Sequence, residues 1–230
     1  MQGNSLPASR GWQWYKQGWS LFSKQKGNWI LMTLLASVGF ILLNVIPLIG
    51  SLAALLIFPG LIGGMLYSAQ EVSSGKPIKL DYLWIVFKDP KKRSEFLKLG
   101  LVLILIAGIF LAGILVGIFM GDKVEGLNPN ANLDVGFGTL AFLFLLGLIG
   151  FIIFGYASAL ILFRSSSMTN ALKESISLGT NQLLPIATLY LLYTLFSIIA
   201  AIPFGLGFLI LWPVTIGAIY VSYQELDDYL

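Results

Sequence analysis

Six apolar runs constrain the fold of this chain more than any other feature. A membrane-crossing helix needs roughly 20 mainly apolar residues. The runs span residues 29–49, 52–72, 97–120, 137–163, 183–201 and 204–223, and none has an ionisable side chain in its middle. Only 11% of the chain is charged, against about 25% in a soluble domain. The sequence therefore predicts an all-α, polytopic membrane protein with six transmembrane helices.

Basic residues predict the topology. Of 14 Lys and Arg residues, all but Lys98 and Lys123 precede the first run or lie between the second and third or the fourth and fifth runs, and Lys98 lies at the mouth of the third run beside the second of these segments. The positive-inside rule places these segments, and both termini, in the cytoplasm. Because these charges flank the apolar runs, we expect them to meet anionic lipid headgroups, not nucleic acid.

The turns between neighbouring runs predict hairpins. Residues 46–50 and 202–205 are short, uncharged and contain Pro and Gly, which interrupt helices. Two tight antiparallel hairpins are therefore favoured over two long continuous helices. Whether the hairpin tips reach the periplasm is left open.

An amphipathic stretch precedes each hairpin. In the first, aromatic residues recur at helical spacing opposite a polar face, and in the second a stripe runs from Leu80 to Phe87. Helices of this kind lie in the membrane interface. Their aromatic residues and a neighbouring basic cluster form a predicted lipid-binding surface, here named the cytoplasmic collar. It comprises Trp12, Tyr15, Trp19, Phe22, Trp84, Lys91, Lys92 and Arg93.

Matching residues indicate that the first and third predicted hairpins, each with its amphipathic stretch, are copies of one repeat. Matching pairs include Gln25 with Gln182, Pro47 with Pro203, Pro59 with Pro213, and Glu71 with Glu225. Since two runs separate the copies, the repeat is parallel, with its axis along the membrane normal. We predict one membrane domain over residues 1–230. Its three units span approximately 11–72, 78–163 and 165–226, around a common axis.

Two glutamates suggest a structural latch. Glu71 and Glu225 lie at predicted helix C-termini, where a carboxylate opposes the helix dipole and favours a nearby cation. Lys16 and Lys173, which also match in the repeat, are the predicted partners that dock each amphipathic helix onto its own hairpin. The alternative is two solvated carboxylates, since exposed ion pairs contribute only about 0–1 kcal/mol.

Enzymatic chemistry has little support. The chain has no Cys and no His, which excludes disulfides, thiol chemistry and the usual zinc sites. Oxygen-bearing side chains at 128, 130, 132 and 134 resemble a calcium loop, but Leu133 and Thr139 stand where Gly and Glu are required. We therefore predict no metal, no cofactor and no enzyme activity.

Two further patterns leave alternatives open. Gly60-x-x-x-Gly64, and a similar pattern over residues 113–121, favour close helix approach, either between subunits or within one chain. Tyr190, Tyr193 and Thr194 either line a path for a neutral or amphiphilic molecule or make interhelical hydrogen bonds. A proton-coupled transporter would carry an ionisable residue within its spans.

Three segments carry a resemblance to a known family. They are Gly11-Trp12-Gln13-Trp14, Gly18-Trp19-Ser20-Leu21-Phe22 and Val45-Ile46-Pro47-Leu48-Ile49-Gly50. The chain resembles a family of uncharacterised multi-pass inner-membrane proteins of proteobacteria. More distantly, it is similar to YciC-like proteins and to the membrane domain of some glycerophosphodiester phosphodiesterases. The resemblance implies a helical protein of the bacterial inner membrane and supplies no catalytic residue.

The predicted function is therefore non-enzymatic. We expect an integral inner-membrane protein that organises lipid or serves as an accessory or scaffold subunit. Its expected partners are anionic lipid headgroups on the cytoplasmic side and either further copies of the chain or another membrane protein. The alternative is a transporter or channel for a neutral or amphiphilic solute. A lipid-modifying enzyme would need a polar cluster that the sequence does not show.

Overall fold

The structure is a computed structural model that describes residues 5–121 and 137–227. These residues are almost entirely helical, and no β-strand occurs among them. The predicted loop at 128–134 lies outside the described residues. The packing of Gly113, Gly117 and Gly121 is likewise not described.

Ten α-helices, a 3₁₀ turn and a π-helical segment make up the described part of the chain. The α-helices are α1 (Ser9–Lys24), α2 (Lys26–Asn44), α3 (Ile49–Ser73), α4 (Ile85–Lys88), α5 (Pro90–Gly121), α6 (Phe137–Phe151), α7 (Ala157–Arg164), α8 (Met168–Asn181), α9 (Leu183–Ala201) and α10 (Phe208–Leu226). The 3₁₀ turn is Leu80–Trp84, and the π segment is Ile152–Tyr156. Among the described residues, 4 helical stretches are long and apolar enough to cross a membrane: Lys26–Asn44, Ile49–Ser73, Phe144–Arg164 and Leu183–Ala201.

The predicted fifth run coincides with α9, whereas the third is the inner part of a longer helix. Helix α5 has 32 residues, so it is about 48 Å long, against a hydrocarbon core of about 30 Å. Its start is set by Asp89, whose Oδ1 accepts a hydrogen bond from Lys91 N at 2.9 Å, and by Pro90, which suits the first helical position. The charged first turns of α5 therefore extend beyond its apolar part.

Both Pro-containing turns break the helix in the same way. The residue after each Ile-Pro pair has a positive φ: 61° at Leu48 and 53° at Phe204. A left-handed residue cannot continue a right-handed helix. The chain therefore forms separate helices on each side of both turns, and the alternative of two long continuous helices was wrong.

Helix α1 packs mainly against α9 and α10 and touches α2 and α3, which follow it in the chain, much less. A Cβ at Gly18 would lie 2.4 Å from Val214 O and 2.6 Å from Ala218 N, so the two backbones nearly touch. A Cβ at Gly11 would lie 2.4 Å from Pro185 O, its nearest backbone neighbour. The prediction that this helix docks on the two helices that follow it was wrong, because its two glycines fit against α9 and α10.

The second amphipathic stretch is not one helix but the 3₁₀ turn followed by the four-residue α4. It packs on α3 at Gly60 and Gly64, against the Phe87 ring and the Leu83 carbonyl. The tighter 3₁₀ turn presents that carbonyl to the helix. The alternative of packing within one chain therefore holds for the Gly60–Gly64 pair.

Three hydrogen bonds connect these elements in a cycle. Each joins a side-chain oxygen near the start of one hairpin to a backbone N–H of the segment that leads into, or begins, another amphipathic element. The bonds are Ile78 N to Gln25 Oε1 at 2.8 Å, Met168 N to Glu95 Oε2 at 2.6 Å, and Leu6 N to Gln182 Oε1 at 2.8 Å. The order runs from the first unit to the second, the second to the third, and the third back to the first. The N-terminal segment is thereby tied to the C-terminal third of the chain.

Glu95 is the only ionisable acceptor of the three and predicts a pH effect. Lys98, and then the Met168 N–H, hold the pKa of the Glu95 carboxyl below its ordinary value of 4.5. A lowered folded-state pKa means that the carboxylate stabilises the fold above the unfolded pKa. This contribution is lost as the pH falls through the folded pKa.

Glu95→Gln should therefore make the fold less sensitive to acid. The amide keeps an acceptor for Met168 N and resembles Gln25 and Gln182, but it cannot be protonated in this range. We expect the melting temperature of the parent to fall more than that of the variant below about pH 4.5. Parallel pH profiles would contradict this role for Glu95.

Candidate functional site

The aromatic residues of the cytoplasmic collar divide into two groups. Trp12, Trp19 and Trp84 are 45%, 50% and 43% exposed, whereas Tyr15 and Phe22 are 8% and 2% exposed. Tyr15 stacks on Phe196 of α9, with ring centroids 5.1 Å apart. The docked face of α1 carries Tyr15 and Phe22, so these two rings pack in the protein core. The expectation that they face lipid was wrong.

The basic part of the collar lies in the first turn of α5. Lys91 and Arg93 are exposed and Lys92 is partly buried. Among the described residues, none of the three forms an ion pair, while the neighbouring Lys88 pairs with Asp81 at 2.8 Å. Cations at a helix N-terminus oppose the helix dipole. The helix dipole therefore disfavours this cluster, and its three positive charges form no ion pair among the described residues that would keep them from external anions.

The two latch glutamates have other partners than the predicted lysines. Arg10 Nη2 lies 2.5 Å from Glu225 Oε2, and Trp14 Nε1 donates to the same oxygen at 2.7 Å. Glu71 pairs with Lys76 at 3.3 Å. Arg10 takes the place of Lys16 because α1 lies on α10. Lys76 takes the second site because it follows shortly after the end of α3.

Lys16 and Lys173 therefore lie outside the latch. The ammonium of Lys16 is 5.9 Å from the centre of the Trp12 ring. Lys173 is exposed on α8 and, within the described part of the chain, forms no ion pair.

Glu225 joins the first helix to the last. Burial alone would raise the pKa of its carboxyl, but the bonds from Arg10 and Trp14 outweigh that effect and hold the pKa below its ordinary value. The carboxylate is therefore ionised at neutral pH, where it accepts from both partners. Trp14 was missed as a latch residue. Its spacing of four from Arg10, on the same face as Gly11 and Gly18, was the available signal.

A second polar contact lies at the end of α7. Arg164 Nε is 2.8 Å from Asp227 Oδ1, and Arg164 Nη2 donates to Asp227 O at 2.8 Å. Glu174 of α8 lies 3.8 Å from the same guanidinium. One arginine thus connects the end of α7 to α8 and to Asp227, which follows α10.

Two of the spaces among the helices involve residues singled out from the sequence. A groove of about 710 Å³ runs between α1, α9 and α10, with Trp12, Lys16 and Trp19 along its α1 side. A cavity of about 290 Å³ lies between α3, the π segment, α9 and α10, and Tyr190 and Tyr193 contribute to its wall. Both spaces are lined mainly by apolar side chains, so each suits an apolar or amphiphilic guest.

The tyrosines of α9 belong to an aromatic group beside the second cavity. Tyr190 lies 5.1 Å from Phe144 and 5.4 Å from Phe151 between ring centroids. Thr194 Oγ1 donates to Tyr190 O at 2.9 Å within the same helix. The threonine hydroxyl thus bonds within α9, while the two tyrosine rings face the cavity.

A comparison with known proteins finds a relative that is described as an inner-membrane protein. The chain is 27% identical over 146 residues to a "probable inner membrane protein" of Burkholderia thailandensis, covering 60% of this chain and 54% of that protein. The chain thus spans about half the length of this relative. Neither a protein-family model nor a solved structure matches the chain. The similarity agrees with the 4 helical stretches that are long and apolar enough to cross a membrane.

Proposed function

We propose that the chain is a non-enzymatic integral protein of the bacterial inner membrane that organises anionic lipid through its cytoplasmic collar. The observation that carries this proposal is the exposed basic cluster at the start of α5. Lys91 and Arg93 face outward without an ion pair among the described residues, in a position where the helix dipole disfavours them. Anionic headgroups attract a Lys or Arg near the membrane surface by about 1 kcal/mol each.

The proposed architecture has six membrane spans in three hairpins, with both termini in the cytoplasm. Its support is the charge bias of the sequence, the left-handed residue that follows both Ile-Pro pairs, and the cycle of three hydrogen bonds. In this arrangement α1, the 3₁₀ turn with α4, and α8 lie at the cytoplasmic interface as parts of a parallel repeat. The distant resemblance to YciC-like and phosphodiesterase membrane domains fits the same topology.

Exposed tryptophans add to the proposal. Trp12, Trp19 and Trp84 lie on two different interfacial elements and are each nearly half exposed. Indole rings favour the headgroup level of a membrane. The three rings therefore suit a surface that touches lipid, or a partner protein if the chain is an accessory subunit or assembles with further copies of itself.

Extraction of the protein with its surrounding lipid tests this proposal. Polymer-bounded particles would be taken directly from cells, and their lipids and proteins identified by mass spectrometry. The parent is expected to be enriched in anionic phospholipid relative to the bulk membrane. Lys91→Gln/Lys92→Gln/Arg93→Gln should lose most of that enrichment, because each cation contributes about 1 kcal/mol near the surface.

A charge-matched variant provides the control. Lys24→Gln/Lys26→Gln/Lys79→Gln removes the same charge from other exposed cytoplasmic positions. It should keep the enrichment. Equal enrichment in the parent and the α5 variant would contradict the lipid-organising function, and a stoichiometric protein partner in its place would favour the accessory-subunit function.

A transporter or channel for a neutral or amphiphilic solute is the second candidate. The cavity of about 290 Å³ beside Tyr190 and Tyr193 favours it, together with the π segment that borders this cavity, since π-bulges occur frequently at functional sites. Solute release from loaded vesicles tests the idea. Gly155→Leu, which fills the cavity wall, should abolish release if the cavity is a path. Release that is unchanged by the variant would contradict it.

A further inference from the structure

The groove between α1, α9 and α10 has the size of a ligand site. Its volume of about 710 Å³ falls in the range of about 300–1,000 Å³ that is common for small-molecule pockets. Apolar side chains from α9 and α10, such as Phe196, Ile199 and Leu211, form most of its lining. The wall of the groove formed by α9 and α10 is therefore apolar.

Small residues give the groove its depth. A Cβ at Gly207 would lie 2.4 Å from Ala200 Cα, so α9 and α10 are in near contact there. Both residues contribute to the groove, which extends as far as Pro203 in the turn between the helices. From Phe196 to Ala200 the groove follows α9 for about 6 Å and then continues to Pro203 in the turn, a shape that suits an elongated apolar guest.

A single positive charge stands at the α1 side of the groove. Lys16 is exposed, lines the groove, and lies one helical turn from both Trp12 and Trp19. Its ammonium is 5.9 Å from the Trp12 ring centre, and no ion pair engages it within the described residues. An apolar groove with one cation and two interfacial indole rings at its edge complements an anionic amphiphile.

We propose that this groove holds one acyl chain of an anionic phospholipid whose headgroup phosphate binds Lys16. The inference rests on the proposed lipid-organising function and names a site for it that is separate from the basic cluster on α5. The acyl chain runs from the α1 side toward the turn at Pro203, while the headgroup stays between Trp12 and Trp19. A zwitterionic phospholipid makes the same acyl contacts but offers no net negative charge to Lys16.

Native mass spectrometry of the purified, delipidated protein tests the charge recognition. The probes are phosphatidylglycerol and phosphatidylcholine with identical acyl chains, and the measurement is the dissociation constant of the first bound lipid. All proteins compared carry Lys91→Gln/Lys92→Gln/Arg93→Gln, so that the basic cluster on α5 does not contribute to binding. The protein with Lys16 intact should bind phosphatidylglycerol about five-fold more tightly than phosphatidylcholine, the factor that corresponds to one cation near a headgroup. Lys16→Gln should abolish this preference. Lys24→Gln, at the end of the same helix and outside the lining of the groove, should keep it.

Filling the groove with larger side chains tests whether it binds the acyl chain. Ile210 and Ile199 line the groove and are 40% and 60% exposed, so each tolerates a larger side chain without disturbing the core. Ile210→Trp and, independently, Ile199→Trp should weaken binding of both lipids at least about five-fold. Unchanged helix content by circular dichroism would show that either variant is folded.

Three outcomes would overturn the inference. In the first, Lys16→Gln would keep the preference for phosphatidylglycerol, as Lys24→Gln does. In the second, both tryptophan variants would bind the two lipids as tightly as the protein with the unfilled groove. In the third, the groove would prove to be a contact between two copies of the chain. The tryptophan variants would then disrupt a dimer and leave lipid binding unaltered.

The lipid-extraction experiment separates this inference from the proposed function. If the parent particles remain enriched in anionic lipid while the groove variants bind as the parent, only the groove site fails. If the particles show no enrichment either, the proposed function fails as well.

Discussion

Trp14→Ala is expected to lower the free energy of unfolding by about 3–5 kcal/mol, the usual cost of truncating a buried Trp. The Trp14 side chain is 0% exposed, and its Nε1 donates to Glu225 Oε2 at 2.7 Å. The substitution leaves a void between α1 and α10 and removes one of the two partners of a partly buried carboxylate. Unfolding in mixed detergent micelles, followed by circular dichroism, measures the loss.

Trp12→Ala is the matched control for this prediction. Trp12 lies on the same helix but is 45% exposed, so its removal should change the free energy of unfolding by no more than about 0.5 kcal/mol. In the Trp14 variant, α1 should also become accessible to protease cleavage before the rest of the chain. Equal destabilisation by the two substitutions would mean that α1 is not held through its docked face.

Gly18→Ala is expected to cost about 3 kcal/mol, the upper end of the range for overpacking. The new Cβ would lie 2.4 Å from Val214 O and 2.6 Å from Ala218 N, both backbone atoms that no side-chain rotation moves away. Helix α1 must therefore shift off α10 and stretch the contacts of Arg10 and Trp14 with Glu225. The same unfolding measurement detects this loss.

Gly27→Ala controls for the effect of alanine itself. Nothing lies within 4 Å of a Cβ at Gly27, and alanine favours a helix over glycine by about 1 kcal/mol. We expect this variant to be as stable as the parent or slightly more stable. If Gly18→Ala were equally harmless, the close approach of α1 and α10 would be wrong.

The sequence predicted the helices well because apolar length and turn chemistry are local signals. Run 183–201 matches α9, and the Ile-Pro turns lie where the helices end. The predicted third run begins at residue 97, whereas α5 begins at Pro90. Hydropathy carries no information about the helix start that Asp89 and Pro90 set. The 3₁₀ turn was also missed. It depends on the fit of the Leu83 carbonyl against Gly64, which is a tertiary contact.

The candidate site was predicted only in part, for a related reason. Helical spacing identified the aromatic residues of α1, but it could not tell which flank packs on protein and which meets lipid. Tyr15 and Phe22 face the core, while Trp12 and Trp19 remain exposed. The latch partners were wrong because they assumed that each helix docks on its own hairpin. The cross-unit docking of α1 is set by Gly11 and Gly18.

The three acceptors in the cycle of hydrogen bonds, Gln25, Glu95 and Gln182, were only partly predictable from the sequence match between the first and third units. Gln25 and Gln182 match in sequence, and both accept a backbone N–H at 2.8 Å. Glu95 has the corresponding role in the middle unit, although that unit has no clear identity with the others. Each of the three bonds requires only an acceptor oxygen, so the residue type was free to differ.

Selectivity for anionic lipid is the central claim, and spin-label spectroscopy of the reconstituted protein measures it most directly. Phosphatidylcholine vesicles would contain a trace of spin-labelled phosphatidylglycerol or phosphatidylcholine, and the fraction of each label immobilised at the protein would be compared. We predict a larger immobilised fraction for phosphatidylglycerol. This excess should fall in Lys91→Gln/Lys92→Gln/Arg93→Gln and persist in the charge-matched Lys24→Gln/Lys26→Gln/Lys79→Gln. Equal immobilised fractions of the two lipids at the parent protein would contradict the account.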